Sequence, residues 1–311
     1  MEFKPLSNIT AKQVIDATRA YKELVLTRRN MQQLGGSMFW KLSGSYVYLA
    51  QRSFFDSRKV EHLGIKSSQT EQKLEDYEAE CSKLHQRETA LQKRISVHER
   101  MNKAVRAGSV SNDVIDAIRV LESVGLSEDC IWLGSPAQHA YWQSSGLETP
   151  KHLGADEHLG VHLVFVRRKI EAISLIKLYR CRALKFDAVQ GEKSSLLIIK
   201  PTTPAQPSVS HDPSAEHALQ RYSKFIHDTV RGYIDLILDE SQQPPFFEHV
   251  LISKTGRMGM LKTVDPTFFM AWSTLFGLEI SEKDLFKQLL ESGLLARRTG
   301  SVSVSVNADH L

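Results

Sequence analysis

The sequence predicts an α/β or α+β core, of which we adopt the α+β class. Three observations lead to this class. Short apolar runs typical of strands are dispersed among helical segments, two aromatic-rich runs flank a glycine turn, and residues 68–106 contain neither Gly nor Pro. We expect an N-terminal helix, β-hairpin and long charged helix over residues 1–107, a second domain ending in helices over residues 108–298, and a flexible tail over residues 299–311.

The composition is that of a globular protein. The chain has 311 residues, of which 41% are hydrophobic and 24% charged. These values exclude a wholly disordered or collagen-like chain, and the length favours about two domains. Lys and Arg number 40 against 36 Asp and Glu, and the net charge of +4 is too small to indicate a nucleic-acid-binding protein by itself.

Cysteine usage and hydropathy bear on the compartment. Cys81, Cys130 and Cys181 lie far apart and form no CxxC pair, which suits a reducing cytoplasm and argues against a disulfide scaffold or a structural zinc site. No apolar run follows Met1, and no stretch of the sequence reaches the roughly 18 apolar residues of a membrane span. We therefore expect a soluble, cytoplasmic protein without a membrane partner.

The predicted N-terminal module begins with a helix. Apolar residues recur at helical spacing over residues 10–33 and stop before two glycines. The aromatic-rich runs at 38–42 and 46–49 flank a short turn, and a third run at 59–64 alternates polar and apolar residues. These three runs predict a small antiparallel sheet.

Residues 68–106 predict one long helix, because charges dominate and no helix breaker interrupts them. Its heptad seam consists of Leu74, Tyr77, Cys81, Leu84, Glu88, Leu91, Ile95 and His98. Glu88 and His98 interrupt the apolar seam, which favours packing against the N-terminal helix over a free-standing coiled coil. An oligomer formed through this helix is the alternative.

A second unit begins at residue 111. A capping signal at residues 111–113 opens a helix that Gly125 closes. A short buried strand at 130–133 then leads through the turn Gly134-Ser135-Pro136 into a helix over 137–142. Further strands are predicted at 159–166, 183–189 and 196–199.

The C-terminal part starts with a proline-rich segment. Residues 201–213 contain four prolines and predict an extended loop, and residues 222–238 predict a helix. The remaining predicted elements are strands at 247–253 and 258–264 around a turn at 254–256, a helix opened by Pro266, and a helix capped by Ser281 that continues to about residue 295.

Three segments resemble a bacterial family of nucleotidyltransferase-fold proteins related to the DNA polymerase β superfamily. They are the aromatic hairpin with Leu63-Gly64 and the charged helix after it, Trp132-Leu133-Gly134-Ser135 with its following helix, and Ser253-Lys254-Thr255-Gly256-Arg257-Met258 together with Val264-Asp265-Pro266-Thr267-Phe268-Phe269. The resemblance covers nearly the whole chain and rests on the order of the segments. It implies a polymerase β-like nucleotidyltransferase fold, in which helices surround a mixed sheet.

The resemblance also implies a chemistry. Transfer of a nucleotidyl group uses two divalent ions, so Mg²⁺ and carboxylate ligands are expected for the family. Two carboxylates are expected one residue apart on a strand, where alternation aims both at one face, and a third on a neighbouring strand. The turn is expected to contact the phosphates of a nucleoside triphosphate, and the implied nucleotide-binding residues are Gly134, Ser135, Lys254 and Arg257.

The positions expected to hold the metal ligands are not acidic. The paired carboxylates would fall on Gly160 and His162, and the third would fall on Leu197. Two magnesium ions would have almost no protein anchors there, so we assign neither catalytic residues nor a metal site. The leading hypothesis is a catalytically degenerate nucleotidyltransferase-like protein that retains nucleotide binding or a scaffold role.

One alternative is an active nucleotidyltransferase that transfers a nucleoside monophosphate to a protein or nucleic-acid acceptor. Its displaced ligands would come from Asp156, Glu157, Asp187 and Glu192. Asp156 and Glu157 are adjacent and would point to opposite faces of a strand, which disfavours this alternative.

Another alternative is a nucleic-acid-binding module built on the two hairpins. The rings of Phe39, Trp40, Tyr46 and Tyr48 could stack on exposed bases, although the pattern favours the core of the small sheet for them. The glycine turn is equally compatible with packing alone. Solvation is the default for the charges of the 254–257 hairpin.

Overall fold

The computed structural model of the protein describes residues 3–54, 56, 58–150, 153, 162–190, 195–201, 246–275, 283–292 and 294. Helices and small antiparallel sheets make up these ranges, which confirms the predicted α+β class. Residues 202–213 of the predicted loop, the predicted helix at 222–238, the Ser281 cap and the tail at 299–311 lie outside the described residues.

The N-terminal helix α1 spans Asn8–Gln33, close to its predicted bounds. Ser7 caps it, because the Ser7 hydroxyl accepts a hydrogen bond from the backbone N–H of Thr10. One face, which includes Ala17, Ala20 and Leu24, is buried.

A three-stranded antiparallel sheet follows, as predicted. Its strands are β1 (Met38–Ser43), β2 (Tyr46–Arg52) and β3 (Val60–Ile65), in the order β1-β2-β3. The expectation that the aromatic rings form its core is wrong: Leu49 and Ala50 are the fully buried residues, whereas Tyr46 is 58% exposed and the other three rings are half-buried. One face of this thin sheet keeps its side chains near solvent.

Helix α2 spans Ser68–Ala104 and begins with a capping box formed by Ser67 and Thr70. It packs against α1, which confirms the favoured reading of its seam. The two polar interruptions of the seam have partners on α1: Glu88 pairs with Arg28 at 2.9 Å, and Nδ1 of His98 lies 3.3 Å from Nε2 of Gln13.

The central sheet contains β4 (Cys130–Trp132), β5 (His162–Val166), β6 (Leu184–Gln190) and β7 (Ser195–Pro201), in the order β4-β5-β7-β6. Every neighbouring pair among these strands is antiparallel, so the sheet is not mixed as predicted. The chain between β4 and β5 is long enough to return to either end of the sheet, and the sequence therefore does not determine strand direction.

Helices pack around this sheet. They are α3 (Asn112–Ser123), α4 (Ser135–Ser145), α5 (Ala172–Tyr179), α6 (Pro266–Leu275) and α7 (Lys283–Glu291). Helix α5 had no sequence prediction. In the described ranges, none of the helices is both long enough and apolar enough to cross a membrane.

The predicted hairpin is formed by β8 (Phe246–Ile252) and β9 (Met258–Val264), and it lies beside β4. The Thr263 hydroxyl donates to the carbonyl oxygen of Trp132 at 2.7 Å. Alternate residues of the hairpin serve two apolar cores. Val250, Ile252 and Met258 join the core of α1 and α2, whereas Phe247, Leu251 and Leu261 join the core of the central sheet. The hairpin therefore contributes side chains to both apolar cores.

Candidate functional site

The Gly134-Ser135 turn connects β4 to α4. Gly134 has φ of +69° and ψ of −146°, and a Cβ added there would meet no atom within 4 Å. The glycine is thus required by backbone conformation and not by crowding. Its carbonyl oxygen accepts from the N–H groups of Ala137 and Gln138, and Ser135 is the first residue of α4.

The strand register places His162 and Leu197 on one face of the sheet. His162 pairs with Ile199, and Val164 pairs with both Leu197 and Trp132. Because paired and alternate residues share a face, all five side chains belong to the same side of the sheet. All five are at most 3% exposed, so this face is closed and largely apolar.

The turn and this face lie at the same end of the sheet. The backbone N–H of Leu133 donates to the carbonyl oxygen of Leu163 at 3.1 Å. Gly134 therefore follows β4 at the level where β5 begins with His162. The rings of Trp132 and His162 lie next to each other, with centroids 6.4 Å apart.

His162 has an acidic partner that the sequence analysis missed. Its Nε2 lies 3.2 Å from Oδ2 of Asp113, in the first turn of α3. The hydrogen bond from His162 lowers the pKa of Asp113 to about 2, so the carboxylate is ionised at neutral pH and accepts the imidazole proton. The capping signal at residues 111–113 marked this position as a helix start, but it gave no indication of the histidine.

The displaced acids do not gather at this face as far as they are described. Asp187 pairs with Ile198, whereas its neighbour Ala188 pairs with Leu197, so Asp187 belongs to the opposite face. Its carboxylate lies 3.5 Å from Nζ of Lys200. Gly160, Asp156, Glu157 and Glu192 lie outside the described residues. No group of three or more His, Cys, Asp or Glu side chains within the described ranges is arranged to hold a metal ion.

Lys254 and Arg257 lie in the turn between β8 and β9. The Lys254 side chain is exposed, and its backbone N–H donates to the carbonyl oxygen of Val110 at 2.9 Å. Arg257 forms an ion pair with Asp116 of α3. The arginine is therefore engaged in holding the hairpin turn against α3, and Lys254 is the exposed cation of the two.

A polar network connects α4 to the end of β8. The Ser109 hydroxyl lies 3.0 Å from Nδ1 of His139, one helical turn after Ser135. Ser109 also accepts from Nε2 of Gln143 at 3.1 Å and from the Thr149 hydroxyl at 3.2 Å, so its own proton is directed to His139. Gln143 in turn exchanges two hydrogen bonds with the backbone of Ile252. The sequence analysis did not identify this network.

A cavity of about 600 Å³ lies between α1, α2 and α3. Its arginines are each paired with glutamates: Arg28 with Glu88 and Glu122, Arg29 with Glu128, and Arg119 with Glu99. Burial raises the pKa of Glu122, and Arg28 and Arg119 partly offset this effect. These charges cross-link the three helices.

Comparisons with protein-family models, with curated proteins and with solved structures found no match.

Proposed function

We propose that this protein is a catalytically degenerate relative of the polymerase β-like nucleotidyltransferases. It binds a nucleoside triphosphate but does not transfer the nucleotidyl group. The observation that carries the proposal is the shared face of His162 and Leu197 beside the Gly134-Ser135 turn. These are two of the three positions where the resemblance expects metal ligands, and both side chains are buried.

The chemistry of the ions explains why transfer would be lost. Magnesium requires oxygen ligands and an open coordination shell that also admits the phosphates. Leu197 offers no ligand, and the imidazole of His162 is directed to Asp113. Without the two ions, the charge that develops on the α-phosphate and on the leaving pyrophosphate would not be neutralised.

The features that support binding are independent of the metals. Helix α4 begins directly after Gly134, so the positive end of its dipole is at the turn, although Pro136 has no N–H and the N–H groups of Ala137 and Gln138 donate to the Gly134 carbonyl oxygen. Lys254 is exposed near the N-terminus of α3, although Arg257 is held by Asp116. We expect the Gly134-Ser135 backbone to be the phosphate contact and Lys254 to contribute a point charge.

Two measurements test the two halves of the proposal. Incubation with each α-³²P-labelled nucleoside triphosphate, Mg²⁺ or Mn²⁺ and cell lysate is expected to give no labelled product beyond that of the lysate without the protein. A labelled protein or nucleic acid would instead favour the active alternative with displaced acids.

Isothermal titration calorimetry measures binding. We expect heat with at least one nucleoside triphosphate in the presence of EDTA, and weaker binding by Gly134→Ala and Lys254→Ala. Lys283→Ala is the matched control, because Lys283 is an exposed lysine on α7. Absence of heat with every nucleotide would contradict nucleotide binding and leave the scaffold role alone.

A further inference from the structure

The N-terminal sheet of the molecule presents a mixed aromatic and basic face. In the sheet of β1, β2 and β3, Lys41 pairs with Tyr48, and Phe39 pairs with Ala50. Tyr46 and Arg52 alternate with these positions along β2 and therefore share their face. His62 of β3 completes the face, since its ring centroid is 5.4 Å from that of Tyr48.

The rings on this face form a continuous row. The centroids of Tyr46 and Tyr48 are 6.4 Å apart, and Tyr48 is followed by His62. The Arg52 guanidinium lies 5.1 Å from the centroid of Phe39, which is a cation-π distance. Lys41, Arg52 and His62 are exposed, and Tyr46 is 58% exposed. Flat groups and cations thus alternate on a surface that solvent reaches.

Charge is concentrated in the same segment. Residues 38–66 contain five Lys or Arg and two Asp or Glu, a net charge of +3 within a chain whose total is +4. Arg58 is paired with Asp56, Lys59 with Glu171 and Lys66 with Glu71, and the other two cations, Lys41 and Arg52, belong to this face. The weak overall charge of the protein therefore conceals a basic sheet, and a polyanion is its complementary partner.

We infer that this face, defined by Phe39, Lys41, Tyr46, Tyr48, Arg52 and His62, binds single-stranded nucleic acid. Unpaired bases can stack on the exposed rings, whereas a duplex hides the faces of its bases. The cations between the rings can contact the phosphates, which gives binding that is tolerant of sequence and sensitive to salt. The inference does not depend on the proposed nucleotide site, which uses different residues.

The test is fluorescence anisotropy with labelled oligo-dT and oligo-U and with a duplex of the same length. We expect the single strands to bind more tightly than the duplex. Tyr46→Ala should weaken binding about tenfold, the scale of one lost stacking contact. Tyr179→Ala is the matched control, because Tyr179 on α5 is 57% exposed, and it should bind as the wild type does.

The contribution of the cations to binding is tested by the salt dependence of the affinity. Lys41→Gln should make the negative slope of log K against log salt less steep by about 0.7, the value for one phosphate contact on a single strand. Lys73→Gln, at an exposed position of α2, should leave the slope unchanged. We expect all four variants to melt near the temperature of the wild type, because the substituted side chains are exposed.

Three outcomes would overturn the inference. The first is salt-independent binding. The second is an equal effect of Tyr46→Ala and Tyr179→Ala on affinity. The third is self-association that Tyr46→Ala abolishes while the wild-type protein binds no oligonucleotide, since this would identify the face as a contact between copies of the chain.

Discussion

A buried histidine requires a hydrogen-bond partner, and His162 obtains one from another element. It is 3% exposed, and its Nε2–H is directed to Asp113 at the start of α3. The pair joins the first strand residue of β5 to a helix whose N-terminal dipole also favours the Asp113 carboxylate. A polar bond at the rim of an apolar sheet face thus fixes α3 to the sheet.

Asp113→Asn tests this pair through pH. The pKa of Asp113 falls from 3.8 to about 2 in the folded protein, so its contribution to stability is complete above about pH 4 and is lost as the pH falls towards 2. We expect the variant to lose about 1 kcal/mol of unfolding free energy at pH 7, because the side chain is partly exposed. Its stability should also fall less steeply than that of the wild type between pH 4 and 2.

Urea denaturation across this pH range provides the measurement. Asp187→Asn is the control, since the Asp187 side chain is 63% exposed and, within the described residues, forms an ion pair with Lys200 alone. Identical pH profiles for Asp113→Asn and the wild type would show that the His162 contact does not contribute to stability.

Gln143 makes a second prediction at the residue scale. Its amide satisfies both the N–H and the carbonyl group of Ile252 at the end of β8. Gln143→Leu would leave the Ile252 N–H without this partner, at a cost of about 2 kcal/mol of unfolding free energy. Gln72→Leu, on the exposed face of α2, should cost much less. Equal chemical denaturation midpoints for the two variants would contradict the role of Gln143.

At the scale of elements, the contact between α1 and α2 explains the interrupted seam of the long helix. Glu88 interrupts the apolar pattern because Arg28 of α1 lies opposite it, and His98 does so because Gln13 lies opposite. Leu91 and Ile95 between them are buried. The polar positions therefore give the helix pair a defined register.

A double-mutant cycle of Arg28→Ala and Glu88→Ala measures this register contact. We expect a coupling energy of about 0.5–1 kcal/mol, because the Glu88 side chain is mostly buried while Arg28 is partly exposed. The exposed pair Lys83 and Glu80 on α2 is the comparison, with an expected coupling of about 0.3 kcal/mol. Coupling no larger than that of the exposed pair would show that the seam is specified by its apolar residues alone.

The elements with strong periodicity could be predicted from the sequence, and those without it could not. The hairpins and the long helix were predicted near their observed bounds. Helix α5 was not, because it buries Ser174 and Leu178 while Ile176 and Tyr179 remain exposed, so its apolar residues do not mark one face. Strand direction in the central sheet also depended on long connections with no local signal.

In the candidate site, too, the sequence predicts local features but not contacts between distant residues. Gly134 could be found because an unusual backbone angle requires glycine after an apolar strand. The partners Asp113 and His162 are separated by 49 residues, and Ser109 and His139 by 30. No pattern within a helix or strand relates residues so far apart, so these contacts emerged only with the tertiary structure.

At the scale of the whole molecule, α2 and the hairpin of β8 and β9 are joined across the predicted boundary at residue 107. Glu99 of α2 pairs with Arg119 of α3 at 2.6 Å and accepts from the backbone N–H of Met258 at 3.3 Å. Asn102, fully buried, donates to the carbonyl oxygen of Gly256 at 3.2 Å. These buried hydrogen bonds, together with a hairpin that contributes to both apolar cores, favour cooperative unfolding of the two parts.

Gly256→Ala tests this cooperation. Gly256 has φ of +87°, and an added Cβ would lie 2.1 Å from the carbonyl oxygen of Glu99 and 2.7 Å from the backbone nitrogen of Lys103. Both atoms belong to the backbone of α2, so the helix would have to move away from the hairpin. We expect a loss of at least about 2 kcal/mol of unfolding free energy, the sum of backbone strain and lost contacts.

Gly134→Ala separates the effect of backbone strain from that of the steric contact with α2. Gly134 has φ of +69°, and no atom lies within 4 Å of an added Cβ. Hydrogen exchange resolved by peptide is the measurement. In Gly256→Ala, amides of α2 and of the hairpin should lose protection together, since neither can keep its buried face once the contact opens. In Gly134→Ala the loss should begin at α4. Unchanged protection of α1 and α2 in Gly256→Ala would mean that the N-terminal helices are stable without the hairpin, and the chain would then consist of two independently folding units.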